Sequence, residues 1–311
     1  MAMPSNKVTA DFDAAIVGGG PAGLSAAIVL GRACRRVIVF DHNKPRNYAA
    51  RAVHCYLARD GIRPMDLRSS GRSEAKAYGV KFIDEEIVAA RCRSTGGKRL
   101  GGFELQTNVR TYVVRTVLLA TGVTDVLPKI PNIEEFYGTS VHHCPYCDGW
   151  EHRDQHLVAL GDGEKAADLA LMLRTWSPYV TACSNGHALS SADRNKLASC
   201  NLTWREEKLE SLVGNEGVIE EVRFVSGAPL PCNALFFSSG LFQRSRLPEL
   251  LDCKLDEDGC VQTSDKQGTG ISGLYLAGDA DGEVQFAIVA AAEGATAAVA
   301  INTALQKDDQ V

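Results

Sequence analysis

A glycine-rich turn near the N-terminus constrains the fold of this 311-residue chain more than any other feature. Residues 18–23 read Gly-Gly-Gly-Pro-Ala-Gly, after an apolar run at 11–17 and before an Ala/Leu-rich stretch that predicts a helix to about Ala33. A second apolar run at 37–40 ends on Asp41. A strand, a tight turn, a helix and a second strand make a βαβ unit, so a parallel sheet is predicted.

This turn also predicts a ligand site. Glycines at 18, 20 and 23 let the backbone approach a pyrophosphate, whose charge lies against the positive end of the following helix. Asp41 is then placed to bond a ribose hydroxyl. A plain strand–helix turn is the alternative, but the whole βαβ context favours a dinucleotide site. The predicted contacts are Gly18, Gly20, Pro21, Ala22, Gly23 and Asp41.

The same pattern begins again in the middle of the chain. An apolar run at 157–160 precedes the turn 161–166, Gly-Asp-Gly-Glu-Lys-Ala, and a helical stretch to about Trp176 leads to a strand at 179–183. The fold class predicted is therefore α/β, with two Rossmann-like dinucleotide-binding domains, the second inserted into the first. The expected boundaries are 10–125 for the first part of the first domain, 126–243 for the inserted domain and 244–307 for the second part.

Composition excludes several classes of partner. The net charge of -5 leaves no basic field for nucleic acid or an anionic membrane. The longest apolar run, 284–305, is mostly Ala and contains Glu293 and Asn302, so it predicts a buried helix rather than a membrane span. Residues 1–11 lack the apolar segment of a secretory signal, and we therefore expect a cytoplasmic protein.

Two of the ten cysteines are close together. Residues 144–147 read Cys-Pro-Tyr-Cys, the spacing of a dithiol redox site, whereas the other eight are single and expected to be reduced and mostly buried. The neighbouring Asp148 can move the proton that thiol exchange requires. Alternatives are two inert core thiols, a zinc site with His142 and His143, or a glutaredoxin module. No second Cys/His pair has zinc-site spacing, and the inserted dinucleotide fold leaves no room for that module.

Further motifs carry a resemblance to a known family. Residues 276–280, Leu-Ala-Gly-Asp-Ala, are similar to the second FAD signature of the two-dinucleotide-fold flavoprotein reductases, and Ala-Thr-Gly at 120–122 lies between the two signatures. Residues 144–149, Cys-Pro-Tyr-Cys-Asp-Gly, resemble the active site of the low-molecular-weight thioredoxin reductases. As in that family, they lie immediately before the second βαβ unit. The resemblance covers about residues 10–305.

The resemblance implies a homodimer with bound FAD that exchanges electrons with Cys144 and Cys147. By the same resemblance, Cys147 would face the flavin, Cys144 would attack the protein substrate and Asp148 would be the acid/base. The further FAD contacts that it implies are Arg46, Asn47, His54, Ala120, Thr121, Gly122, Gly278, Asp279, Phe286 and Ala287.

The chain departs from the family pattern at two places. NADPH-dependent members carry His-Arg-Arg where residues 182–187 here read Ala-Cys-Ser-Asn-Gly-His, which offers neither an arginine fork for the 2′-phosphate nor a carboxylate for an NAD ribose. We therefore expect NADPH to be a poor donor. Other arginines of the inserted domain that could reach the phosphate are Arg174, Arg194 and Arg205. The usual Arg-Gln-Ala is Gln-Phe-Ala at 285–287, where Phe286 either stacks on the flavin or packs in the core.

Three functions are compatible with these motifs. The first is a reductase that passes electrons from a non-standard donor, such as a ferredoxin-type protein, through FAD and the dithiol to a thioredoxin-like protein. The second is a dithiol oxidase that runs in reverse, with a small dithiol as substrate and oxygen or another acceptor. The region of Arg46, Asn47 and His54 resembles a branch with both dithiol oxidases and ferredoxin-dependent enzymes. The third is a flavin-binding redox sensor without turnover, against which the intact dithiol argues.

Overall fold

The computed structural model describes residues 10–93, 100–238, 240–282 and 284–310. These divide into two compact units. The first unit contains the described residues of 1–48, 65–124 and 242–311, and the second contains those of 49–64 and 125–241. Most of the second unit is therefore inserted between segments of the first.

The strands and helices are numbered here in chain order. They are β1 (Phe12–Val17), α1 (Pro21–Arg32), β2 (Val37–Phe40), α2 (Pro64–Ala77), β3 (Lys81–Ile83), β4 (Ala89–Cys92), β5 (Phe103–Gln106), β6 (Thr111–Leu119), β7 (Val123–Asp125), α3 (Ile133–Phe136), β8 (Val141–His142), α4 (Pro145–Asp148), β9 (Leu157–Leu160), α5 (Glu164–Leu173), β10 (Val180–Cys183), α6 (Ser191–Ser199), β11 (Thr203–Arg205), β12 (Leu209–Asn215), β13 (Val218–Phe224), β14 (Leu230–Pro231), β15 (Ala234–Phe237), β16 (Leu241–Gln243), α7 (Leu247–Leu250), β17 (Leu274–Leu276) and α8 (Ala287–Asp309), with a short 3₁₀ turn at Asp279–Asp281.

The first unit is built around a seven-stranded sheet. Its order is β3-β2-β1-β6-β5-β4, and β17 also pairs with β6. Strands β1, β2, β3, β6 and β17 are parallel, whereas β4 and β5 are antiparallel additions. All residues of β1 and β2 are buried. Burial on both faces of a parallel sheet explains why these strands are continuous apolar runs without alternation.

Helix α8 packs closely against α1. A Cβ built at Gly294 would lie 2.0 Å from the carbonyl oxygen of Ala22, so only glycine fits there. Ala290 and Ala297 join Ala26 in one buried cluster. By length and composition α8 could cross a membrane, a test that the core helix of a folded protein also passes. The helix predicted for 284–305 is observed, but only one side of it is buried, at Ala290, Ala291, Gly294, Ala297, Ala298, Ile301 and Leu305.

The second unit contains a parallel sheet in the order β11-β10-β9-β15-β8 and an antiparallel sheet of β12, β13 and β14. The predicted second βαβ unit is observed as β9, α5 and β10, with the helix ending at Leu173 rather than near Trp176. The paired strands β7 and β16 lie where the chain passes from one unit to the other.

Segment 49–64 belongs to the second unit, although the sequence analysis includes it in the first domain, 10–125. Gly138 shows how closely it packs there. A Cβ at Gly138 would lie 2.4 Å from the carbonyl oxygen of Ala49. This contact joins backbone segments that are far apart in the chain, so no local sequence pattern indicates it.

Candidate active site

The three predicted glycines of the first turn have different structural roles. Gly18 has φ +116°, and a Cβ there would lie 2.1 Å from the carbonyl oxygen of Ala120. A Cβ at Gly23 would lie 1.9 Å from the carbonyl oxygen of Gly18. At Gly20, by contrast, no described atom lies within 4 Å of an added Cβ. Gly18 and Gly23 therefore serve the fold, and Gly20 leaves space at the N-terminus of α1, where phosphates bind in such turns.

Asp41 lies beside this turn, as the sequence predicts. A Cβ at Gly19 would lie 2.3 Å from Asp41 Oδ2. Arg68 of α2 donates from Nη2 to the same oxygen at 2.6 Å and from Nε to the carbonyl of Gly19 at 3.3 Å. Arg68 is a residue of the site that the sequence analysis missed, because a single arginine on a helix carries no motif.

Arg46 and Asp279, from distant parts of the chain, form an ion pair. Arg46 Nη1 donates to Asp279 Oδ2 at 2.7 Å and to Gln285 Oε1 at 2.8 Å. The two charged side chains are only 16% and 21% exposed, so this pair is less screened by solvent than a surface pair. Asn47 follows Arg46 in the same turn. Two predicted FAD contacts thus position each other.

The Ala-Thr-Gly segment follows β6 in the first unit. The backbone N–H of Ala120 donates to the carbonyl of Val17 at 2.8 Å. Gly122 has φ +64°, a conformation that favours glycine. The buried hydroxyl of Thr121 has no hydrogen-bond partner within the described part of the chain. Such a group needs a ligand or water to complete its bonding.

The second signature, residues 276–280, packs against the glycine turn at 18–23. Gly278 has φ +86°, and a Cβ there would lie 3.1 Å from the Cβ of Ala22. Its backbone N–H donates to Glu293 Oε2 at 2.6 Å, which explains a charged residue in the Ala-rich helix α8. Phe286 caps this helix and Ala287 is its first residue.

These first-unit residues fit FAD. The open backbone at Gly20 suits a pyrophosphate, and the Asp41 carboxylate beside the turn suits a ribose. The Thr121 hydroxyl, which has no hydrogen-bond partner among the described residues, is a further polar group that a bound cofactor can satisfy. Asp279, held by Arg46, belongs to the same unit.

His54 is the one predicted FAD contact that belongs to the second unit. Its Nδ1 lies 3.3 Å from Asp60 Oδ2, and its Nε2 lies 3.6 Å from Glu151 Oε1. The neighbouring Cys55 Sγ lies 3.8 Å from the carbonyl oxygen of Tyr146. The structure thus places His54 beside the cysteine segment, and an FAD contact through His54 stays a prediction.

Cys144 and Cys147 form a disulfide in the second unit, with Cα atoms 5.3 Å apart. Cys144 caps α4, and its Sγ accepts the backbone N–H of Cys147 at 3.1 Å. Pro145 takes the first helical position, where its missing N–H costs no hydrogen bond. The N–H that bonds the Cys144 sulfur can stabilise a thiolate there once the disulfide is reduced.

Asp148 follows Cys147 directly and contacts His142, the first of two neighbouring histidines. Its Oδ1 lies 3.4 Å from His142 Nδ1, and His142 Nε2 lies 3.0 Å from His152 Nε2. His152 Nδ1 in turn lies 3.2 Å from Gln155 Oε1. Burial and then the nearby His142 lower the pKa of His152. Within the described residues, no group of three or more His, Cys, Asp or Glu side chains could hold a metal ion.

The end of β10 is the place where the sequence lacks the basic residues that the family resemblance implies. Ser184 is buried, and its hydroxyl donates to the carbonyl of His187. His187 Nε2 lies 3.4 Å from Asp162 Oδ1, which belongs to the second glycine turn. A carboxylate therefore lies in the turn where a nucleotide phosphate would approach.

The three arginines proposed from sequence as other phosphate ligands differ in their surroundings. Arg194 Nη2 lies 2.7 Å from Glu206 Oε1. Arg205 Nη2 lies 2.9 Å from Glu207 Oε1. Arg174 follows α5 and is exposed. Two of the three are thus already paired with carboxylates.

The remaining eight cysteines are free. Burial raises the pKa of Cys183 to about 12 and that of Cys253 to about 11, so both are poor nucleophiles at neutral pH. The expectation that most single cysteines are buried is wrong, because only three of the eight are buried. Cys183, Cys232 and Cys260 are buried, Cys200 and Cys253 are intermediate, and Cys34, Cys55 and Cys92 are exposed.

Fold and site together define a class of protein. Two α/β units with glycine turns, and a redox disulfide directly before the second βαβ unit, are the architecture of a two-domain flavoprotein disulfide oxidoreductase.

Comparison with known proteins identifies the family. The profile of the pyridine nucleotide-disulphide oxidoreductases matches residues 12–294. A thioredoxin reductase of Treponema pallidum is 31% identical over 302 residues, which are 93% of this chain and 95% of that protein. An Arthroderma benhamiae protein assigned as a thioredoxin reductase is 36% identical over 198 residues, 63% of this chain, and the match spans 49% of that longer protein. The structure of a Bacillus anthracis protein, TrxB, assigned to the thioredoxin reductases, matches with a TM-score of 0.89 and 34% identity, covering 96% of this chain and 99% of that one.

The chain therefore belongs to the pyridine nucleotide-disulphide oxidoreductase family. It is a thioredoxin reductase-like, FAD-dependent disulfide oxidoreductase with two Rossmann-type domains, and the predicted family and fold class are confirmed.

Proposed function

We propose that this enzyme reduces the disulfide of a thioredoxin-like protein, and that it takes its electrons from a donor other than NADPH. The observation that carries the proposal is the partly buried disulfide of Cys144 and Cys147, with Asp148 next to Cys147 in the chain. The names of the relatives support a thioredoxin-like partner. Tyr146 and Trp150 flank the second cysteine, and they are 61% and 64% exposed, which gives a protein partner an aromatic surface to contact.

The exchange itself needs three side chains. FAD, when held by the first unit, would supply the chemistry that takes two electrons from the donor and returns the Cys144–Cys147 disulfide to the dithiol. The Cys144 thiolate attacks the substrate disulfide, forms a mixed disulfide and releases one substrate thiolate. Cys147 then attacks Cys144 Sγ, which restores the Cys144–Cys147 disulfide and releases the second substrate thiolate. The dithiol loses two electrons and the substrate gains them. Asp148 takes the proton of the attacking thiol and returns it to the leaving thiolate.

We expect Asp148→Asn to slow disulfide exchange about a hundredfold or more while leaving FAD content unchanged, because acid/base groups typically contribute about a hundredfold to ten-thousandfold. The measurement is the rate of substrate disulfide reduction by pre-reduced enzyme. Asp154→Asn is the matched control, since Asp154 is exposed, has φ +60° and lies in the same turn region, and asparagine also tolerates that conformation. Equal rates for Asp148→Asn and wild type between pH 6 and 8 would leave Asp148 with a structural role only.

The donor assignment depends on charge. A 2′-phosphate carries close to two negative charges, and each charge-assisted hydrogen bond to arginine contributes roughly 1.5 to 3 kcal/mol. The end of β10 supplies no arginine, while Arg194 and Arg205 are paired with Glu206 and Glu207. Losing two such bonds weakens binding by roughly two to four orders of magnitude at about 1.4 kcal/mol per decade.

We therefore expect NADPH to reduce the flavin slowly and without saturation in the micromolar range. The measurement is anaerobic stopped-flow mixing of the oxidised enzyme with NADPH, and separately with NADH, reduced ferredoxin or a small dithiol. His187→Arg is the matched variant: the position is exposed at the strand end, and the substitution should improve NADPH binding. Rapid, saturable reduction of the wild type by NADPH would restore an ordinary NADPH-dependent reductase. Reduction by the dithiol, with reoxidation by oxygen, would favour the dithiol oxidase instead.

A further inference from the structure

We infer that His142 is a positioning residue that shares one proton with Asp148, so that the pair can deliver a proton to the departing thiolate at neutral pH. The inference rests on the proposed exchange at Cys144 and Cys147 and extends it to a buried histidine pair. His142 is 5% exposed, and its two ring nitrogens meet Asp148 on one side and His152 on the other.

The hydrogen bonds of this chain of groups determine where each proton lies. Gln155 Oε1 can only accept, so the facing His152 Nδ1 must donate across 3.2 Å. A neutral His152 then has a bare Nε2, which accepts from His142 Nε2 across 3.0 Å. The donating His142 Nε2 leaves His142 Nδ1 to face Asp148 Oδ1 at 3.4 Å, and a bond there requires one proton between imidazole and carboxylate.

The lowered pKa of His152 agrees with a neutral ring that carries its proton on Nδ1. Burial and the neighbouring His142 lower the pKa of His152, which keeps its ring neutral near pH 7. Two other groups face the pair. The ring centroid of Phe236 lies 5.3 Å from that of His142. The carboxylate of Glu151 raises the pKa of His152, against the larger effect of burial, and lies 3.6 Å from His54. Within the described residues, Asp148 is the one charged group that forms an ion pair with His142.

The chemical benefit follows from where the proton lies. A proton held between His142 Nδ1 and Asp148 Oδ1 is beside the cysteines, because Asp148 follows Cys147 directly. Asp148 can pass this proton to a departing thiolate, and the benefit is greater at higher pH, where the solvent supplies fewer protons. The shared proton leaves with the thiolate and returns when the next thiol is deprotonated, so charge balances over the cycle.

The test compares the pH dependence of exchange in four flavin-loaded proteins. Wild type, Asp148→Asn, His142→Gln and His152→Gln are mixed with dithiothreitol, and the opening of the Cys144–Cys147 disulfide is followed by rapid alkylation and mass spectrometry. We expect His142→Gln to be slower than wild type about tenfold at pH 8 and clearly less at pH 6, with His152→Gln affected in the same direction. The ratio to wild type cancels the titration of dithiothreitol itself.

His143→Gln is the matched control, because His143 adjoins His142 but contacts Tyr137 and Asp125 instead. FAD content and thermal unfolding check that each variant folds. In wild type, ¹⁵N NMR of the imidazoles should show His152 neutral with the proton on Nδ1. A ratio that is constant with pH, or a His152 that carries its proton on Nε2, would overturn the inference. An Asp148→Asn variant as fast as wild type would instead overturn the role proposed for Asp148, and an inert wild-type disulfide would overturn the proposed exchange.

Discussion

Cys147→Ser is expected to abolish disulfide exchange while leaving a folded, FAD-containing protein. A serine hydroxyl cannot form the Cys144–Cys147 disulfide, and loss of a covalent nucleophile typically costs at least about a thousandfold. Cys147 lies in the second unit, whereas the residues that fit FAD, other than His54, lie in the first. The measurements are substrate disulfide reduction and the ratio of FAD to protein in the purified variant.

Cys144→Ser should be equally inactive for a different reason. It retains Cys147 but removes the sulfur that accepts the Cys147 N–H in the disulfide and that, as a thiolate, attacks the substrate. The matched control is Cys55→Ser, because Cys55 is an exposed free cysteine whose sulfur lies 3.8 Å from the Tyr146 carbonyl. Full turnover by either active-site variant, or an inactive Cys55→Ser, would contradict the two-cysteine mechanism.

Gly20→Val is expected to remove FAD and leave the apoprotein folded. Gly20 has φ -81°, which any residue adopts, and no described atom lies within 4 Å of an added Cβ. The valine side chain would therefore occupy the space assigned to the pyrophosphate without contacting other parts of the described protein. Its cost to the helix cap is about 1 kcal/mol. The measurements are FAD content after gel filtration and thermal unfolding followed by circular dichroism.

Gly23→Val is the informative comparison. Its Cβ would lie 1.9 Å from the carbonyl oxygen of Gly18, so this variant should lose both FAD and thermal stability. The two glycines are three residues apart in one motif, yet substitution of Gly20 should affect only FAD binding, whereas substitution of Gly23 should also affect folding. A Gly20→Val protein with stoichiometric FAD would show that the pyrophosphate lies elsewhere.

The sequence by itself determined the fold class and the glycine turn between β1 and α1. Continuous apolar runs at β1 and β2 indicate strands buried on both faces, because a half-exposed strand would alternate. The glycine turn between β1 and α1 indicates a close approach of backbone, because glycine alone tolerates Gly18 at φ +116°. The pair of cysteines also follows from local spacing. These features depend on residues that are close together in the sequence, because neighbouring residues set the local backbone geometry.

The tertiary structure decided which side chains meet. Arg68 bonds Asp41, Gln285 bonds Arg46, and segment 49–64 joins the second unit rather than the first. His142 and His143 look alike in sequence, since both precede the cysteines. Only packing turns His142 toward Asp148 and His152 and leaves His143 with Tyr137 and Asp125. The packing of helices and strands decides which distant residues come into contact. Alternation, spacing and composition describe only local sequence, so they do not predict these contacts.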